Sequence, residues 1–268
     1  MHLNIRFVSL QNRNKQKIKH FHLILFCLII FVLCIWGFWF AFNKYQERTY
    51  TNDIQEIQNK LLSKKHFSAK KLKLNKINSP KSKKQKPAET GLSKEDLKEA
   101  KLKIQMLEND VVGSIFIPSV QIKEPILKND TKTSLAIGVG EMKPEQFFGQ
   151  YGNYALAGHN EGNKYPHLLF SNLHNIKKGD SIFLTDLTNI YTYTVSYTKY
   201  IKETDTQVIK DSNVKPTQKA ITLITCDNMG IGTTGRFLVR GFLTKTRLYQ
   251  QKTDKNNFSF NSKKQISN

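Results

Sequence analysis

Hydrophobic and polar positions follow three periods in succession along this chain. From Phe21 to Phe42 the sequence FHLILFCLIIFVLCIWGFWFAF carries no formal charge, long enough to cross a bilayer as a helix. Beyond it, Ile54, Ile57 and Leu61 recur at helical spacing and predict a short amphipathic helix. Ser93 and Asp96 form a capping-box start for another helix, with Leu97, Ala100, Ile104 and Leu107 on its apolar face and Asp110 and Gly113 at its end.

From Val111 the period shortens to two. VVGSIFIP, VQIKEPIL, NYALAG, DSIFLTD, NIYTYTVSYTKYI, AITLITC and RFLVRGFL are β-branched or aromatic runs separated by Pro, Gly, Asn and Asp, which predicts an all-β sandwich or barrel. Tyr191, Tyr193, Val195 and Tyr197 alternate with Thr192, Thr194, Ser196 and Thr198, as a strand with one buried face requires. HLLFSNLHNI is expected to supply a helical turn within this region. The resulting organisation is an N-terminus over 1–20, a membrane anchor over 21–42, a basic stalk over 43–92, a β-domain over 93–246, and a disordered tail over 247–268.

About fifteen residues of the apolar run are Leu, Ile, Val or Phe, which makes insertion favourable by roughly 5 to 9 kcal/mol. A cleaved secretory signal is a poor match, because Phe-Trp-Phe-Ala-Phe offers no small-x-small cleavage site. Arg6, Arg13, Lys15, Lys17 and Lys19 precede the run without an acid, so the N-terminus is expected to be cytoplasmic and the rest extracellular, a single-pass protein of the cell membrane. The formal charge of +21 comes largely from stretches such as KKHFSAKKLKLNKINSPKSKKQKPA, a composition that suits a solvated linker. Outside a membrane anchor such a stretch favours anionic lipid or wall polymer over nucleic acid, and no nucleic-acid partner is expected. A membrane-tethered, non-enzymatic β-domain that binds anionic cell-wall polymer is therefore one reading of the chain.

Cysteine chemistry supplies the other. Of three cysteines, Cys27 and Cys34 lie in the apolar run, where they read as small lipid-compatible side chains. Cys226 has no disulfide partner in its compartment and ends the run AITLITC. An ordinary thiol is only about 3% thiolate at neutral pH, so a nucleophilic Cys226 needs a histidine or arginine nearby. His159, His167, His174, Arg236, Arg240 and Arg247 are available. His159 ends the run NYALAGH, so it sits where a strand opens into a loop, as Cys226 does; His167 and His174 read as surface or packing residues. Arg236 opens the strand after the Cys226 loop, whereas Arg240 lies roughly 13 Å further along it, which favours Arg236. No close ligand spacing suggests zinc, and no cofactor or metal is expected. No histidine follows Cys226, which excludes a papain-like order of residues.

TLITC at Thr222–Cys226, ALAGHN at Ala155–Asn160 and the arginine at Arg236 together resemble the catalytic motifs of the sortases, the transpeptidases that fix proteins to the Gram-positive cell wall. VGSIFIPSVQIKEPIL and NLHNIKKGDSIFL are similar to other stretches of that family. One N-terminal anchor without a C-terminal apolar run looks like class A. The resemblance implies an eight-stranded β-barrel with short helices. It also implies that Cys226 attacks the Thr–Gly carbonyl of an LPXTG-type sorting signal, His159 protonates the leaving amine, and Arg236 binds the oxyanion or the substrate backbone. An amine of the peptidoglycan precursor, lipid II, then resolves the thioacyl enzyme. The substrate pocket carries over to Ala157, Ile224 and Thr225, with Ile201, Val208 and Ile209 on the mobile loop. Glu203 stands where some class A members have a proline. Calcium-activated members hold the ion between acidic loops; here Glu141 and Glu145 flank Lys143, a poor cage for a cation that wants six to eight oxygens, so no calcium dependence is expected.

Overall fold

The computed structural model describes residues 2–62, 92–162, 165–227 and 234–258 of the 268-residue chain, with side chains described from residue 22. The chain divides into two compact units, Met1–Tyr50 and Thr51–Asn268. Helix α1 (His2–Leu61) makes up the first unit and ends in the second. Among the described residues it is the one helix long and apolar enough to cross a membrane, with a mean hydropathy of 2.9 over an 18-residue stretch. Leu23, Phe31, Trp36 and Trp39 are exposed along it, as lipid-facing side chains would be.

The second unit is a closed barrel in the order β1-β2-β3-β4-β7-β8-β6-β5. Its strands are β1 (Val111–Ile117), β2 (Ile122–Leu127), β3 (Val139–Glu141), β4 (Gly152–Ala157), β5 (Ser181–Thr185), β6 (Asn189–Lys202), β7 (Lys219–Cys226) and β8 (Gly235–Leu248). Closure removes the exposed edges that an open sheet of this size would carry. Inward-facing Ile115, Leu156, Leu184, Leu223 and Val239 meet Phe170 in a single core. Seven strands coincide with the runs read from the sequence. The eighth, β3, is three residues long, too short to show a period, and is held by parallel pairing to β2 and antiparallel pairing to β4.

One irregularity corrects the alternation expected in β6. Tyr193 and Val195 are buried, but the pairing with β8 shifts between Val195 and Tyr197, and Tyr197 is exposed. One extra residue flips every later side chain to the other face. HLLFSNLHNI, expected to hold a helical turn, forms turns with a single 3-10 segment at Leu173–Asn175, and Leu169 takes a left-handed φ of 53°.

The capping box forms as expected: Ser93 Oγ accepts from the Asp96 amide at 3.0 Å, and Asp96 Oδ2 accepts from the Ser93 amide at 3.2 Å. The helix it starts is broken at Lys103 into α2 (Lys94–Leu102) and α3 (Ile104–Asp110), which bury Leu97, Ala100 and Leu107. A one-turn helix, α4 (Lys132–Leu135), follows β2.

Residues outside the expected β-domain also pack against the barrel. Ile54, Ile57, Gln58 and Leu61, in the expected stalk, are buried, and the Gln58 amide donates to the carboxylate of buried Glu124 and to Ile137 O. The basic stretch over 64–88 lies outside the described residues. The tail, expected to be disordered over 247–268, forms helix α5 (Gln251–Phe258), held by a two-pronged pair between Arg247 and Asp254 and by Phe258 packed edge-on to Phe116.

Candidate active site

Strands β4 and β7 run parallel with Ala157 opposite Ile224, so both end at the same edge of the barrel. Three hydrogen bonds tie those ends together. The Gly158 amide donates to Ile224 O at 3.1 Å, Thr225 Oγ1 donates to Gly158 O at 2.8 Å, and Asn160 Nδ2 donates to Cys226 O at 3.0 Å. A Cβ on Gly158 would stand 2.7 Å from the buried Phe170 ring, so a side chain there would force that ring to shift. His159 thereby lies two residues past the end of β4, at the edge where β7 ends in Cys226.

On the other side of β7, β8 pairs antiparallel and sets Arg236 directly opposite Cys226. Cys226 and Arg236, on neighbouring β7 and β8, thus share one edge of the barrel with His159, which follows β4. They line a common groove of roughly 320 Å³. Ala157, Ile224 and Thr225 form part of its wall. Ile201, at the end of β6, and Val208 and Ile209, in the β6–β7 connection, form another part. Every site residue read from the sequence therefore lines one cavity. Leu135, Met142, Asp130, Glu203 and Asp205 line it too. These come from the β2–β3 connection, from the segment after β3, and from the start of the β6–β7 connection, brought in by strand crossovers that no local pattern announces.

The groove's electrostatics are set by burial and by an ion pair. His159 is 7% exposed, and burial pulls its imidazole down to about 4, opposed by the carboxylate of Asp96. The ring is neutral near pH 7 and can accept a proton. Arg236 Nη2 donates to Glu203 Oε2 at 2.8 Å, while its Nη1 donates to Gly235 O at 2.9 Å. Cys226 is half-buried at the groove rather than sealed in the core.

Arg240, the alternative arginine, lies away from this edge. It is 1% exposed, pairs with Thr222, and donates from Nη2 to Val208 O at 2.8 Å and to Asn213 Oδ1 at 3.1 Å. It holds the β6–β7 connection that carries part of the groove wall. His167 is exposed, and His174 stacks on Phe237 with ring centroids 4.4 Å apart. Arg247 binds Asp254 in the C-terminal helix. Among the described residues no group of three or more His, Cys, Asp or Glu could hold a metal ion.

The family model of the sortase domain matches residues 115–244. Over 246 residues the chain is 31% identical to Sortase A of Streptococcus agalactiae serotype III, covering 87% of this chain and 90% of that protein. The chain belongs to the sortase family. It is also 45% identical over 136 residues to Sortase A of Listeria monocytogenes serovar 1/2a, a match that covers 51% of this sortase and spans 58% of the relative's length. The solved structure of Listeria monocytogenes sortase A superposes with a TM-score of 0.51 at 40% identity, covering 56% of this chain and 98% of that one. These relatives place the sortase in class A.

Proposed function

We propose that this sortase is a membrane-anchored cysteine transpeptidase that cleaves LPXTG-type sorting signals between Thr and Gly and joins the Thr carbonyl to an amine of the peptidoglycan precursor lipid II, anchoring surface proteins to the cell wall. The observation that carries this reading is the convergence of Cys226, His159 and Arg236 from three adjacent strand ends on one groove.

The steps follow from that arrangement. Cys226 Sγ attacks the Thr–Gly carbonyl carbon, and its proton passes to the neutral imidazole of His159. The carbonyl oxygen gains negative charge, which the guanidinium of Arg236 stabilises. The carbon–nitrogen bond then breaks, His159 returns the proton to the leaving amine, and a thioester remains on Cys226. An acceptor amine attacks the thioester, gives a proton to His159, and expels the Cys226 thiolate, which is reprotonated. Every proton taken up is released, so the cycle balances on these side chains. The apolar wall of Ala157, Ile201, Val208, Ile209 and Ile224 suits the Leu and Pro of the signal.

In this reading α1 anchors the chain with its N-terminus cytoplasmic and the barrel outside, next to lipid-linked acceptor and exported clients. The test is incubation of the protein with a fluorescent LPXTG peptide and candidate amines, with products identified by mass. The expected product is the peptide cut after Thr and joined to the amine. A mixture that stays uncut by wild-type protein and by the Cys226→Ala variant alike overturns the reading.

A further inference from the structure

The charged edge of the groove has an ion pair at its centre. Lys202 is the last residue of β6 and pairs with Gly235, and the Glu203 amide then donates to Thr234 O at 2.8 Å. This turn brings the Glu203 side chain to Arg236, where the two meet at 2.8 Å. Arg236 is 18% exposed on its side chain and Glu203 is 46% exposed, so the carboxylate forms the solvent side of the pair. Asp205 lines the same groove, as does Asp130, whose carboxyl is pushed up by burial. Among the described residues, Lys202 is the only lysine or arginine lining the groove besides Arg236. The groove lining thus holds three carboxyl side chains, Asp130, Glu203 and Asp205, against Lys202 and Arg236, in a chain of formal charge +21.

We infer that Glu203 is a specificity-determining residue of the sortase, selecting sorting signals with a basic side chain at the variable position before Thr. The inference rests on the proposed reading of the groove. With the scissile carbonyl at Cys226, the preceding residue lies one step of roughly 3.3 Å along an extended peptide. Arg236 lies between Cys226 on β7 and Ile201 on β6 in the strand pairing, so a signal that runs from the apolar wall at Ile201 to Cys226 passes the Arg236–Glu203 pair at that step. Leu and Pro of the signal take the apolar wall, and the charged edge remains for the variable side chain. A lysine there finds Glu203 and Asp205 with opposite charge, whereas a glutamate meets the same two carboxylates with like charge. Glu203 stays partly exposed, so the effect is that of a surface charge pair, roughly threefold to tenfold between the two peptides.

The experiment measures kcat/KM of the full chain in detergent for LPKTG, LPATG and LPETG peptides, at low and at half-molar salt, with Glu203→Gln and Glu203→Asp alongside. Within each enzyme the alanine peptide serves as reference. Expected is an order of Lys, Ala, Glu, with at least a threefold span that narrows in salt, collapses to within twofold in Glu203→Gln, and persists in Glu203→Asp. A merely structural role would lower all three peptides together and leave their ratio unchanged. Equal turnover of LPKTG and LPETG by the wild type, or a ratio unaltered in Glu203→Gln, overturns the inference while leaving transpeptidation standing. Failure of all three peptides overturns the sortase reading and the inference with it.

Discussion

Lys143 Nζ stands 2.6 Å from Asp211 Oδ1, and the same oxygen accepts the Asn153 amide at 2.7 Å. This ion pair ties the segment after β3 to the β6–β7 connection, and it holds the Asp211 carboxyl below its ordinary range despite desolvation. Asn153 Nδ2 adds a bond to Val208 O at 3.0 Å, so the groove wall is fixed by a lysine and an amide. Glu141, one of the acids a calcium site would need, is buried and accepts the Tyr154 hydroxyl at 2.6 Å. Transpeptidation is therefore expected to be the same in chelator and in millimolar calcium. Lys143→Ala should raise KM several-fold with a smaller change in kcat. A several-fold activation by calcium that disappears in Glu141→Gln would contradict this account.

The two arginines of β8 should separate kinetically. Arg236→Lys exchanges a planar fork for a point charge beside the developing oxyanion, and is expected to lower kcat by about two orders of magnitude. Arg240→Lys leaves Val208 O or Asn213 without its donor, so it should loosen the groove wall, raise KM and cost about 1 to 3 kcal/mol of stability. Steady-state kinetics with thermal unfolding of both variants decides the matter. A larger kcat loss in Arg240→Lys would reverse the assignment.

Two buried groups set opposite limits on stability against pH. Glu124 is fully buried, and burial pushes its carboxyl up to about 8 even with the Leu169 amide and Gln58 donating to it. Its folded value lies above the unfolded one, so the unfolded chain releases the proton first, and stability falls as pH rises from about 4.5 to about 8. His159 works in the other direction: its folded value of about 4 lies below 6.5, and stability falls as pH drops through that window. Unfolding of a chain starting at Thr51, followed from pH 4 to pH 9, should be nearly level from about 4.5 to 6.5, where the two windows overlap and cancel, and then fall on the alkaline side by about 2 kcal/mol up to pH 8. Glu124→Gln is expected to flatten the alkaline limb and to unmask the rise up to about pH 6.5 that His159 causes.

The core strands and the candidate chemistry are legible in the sequence because both depend on local patterns. Tyr193 and Val195 announce a buried face by alternation, and Cys226 and His159 each end or follow such a run. Contacts made across the barrel are not legible. Nothing near Gln58 signals that its partner is Glu124, and the bulge after Val195 has no residue signature, so alternation alone puts Tyr197 on the wrong face. The C-terminal helix escapes a pattern reading for a similar reason. Its sequence QKTDKNNF has no apolar stripe, and it is held instead by Asp254 on Arg247 and by Phe258 on Phe116 and Tyr249.

The central claim is that Cys226 carries the acyl group. The most direct measurement is intact-protein and peptide mass analysis of the sortase mixed with an LPXTG substrate in the absence of added amine. The account predicts an adduct equal to the substrate fragment ending in Thr, located on the peptide that contains Cys226, lost on addition of an acceptor amine and absent from Cys226→Ala. Substrate cleavage that persists in Cys226→Ala, or an adduct on any other residue, would contradict it.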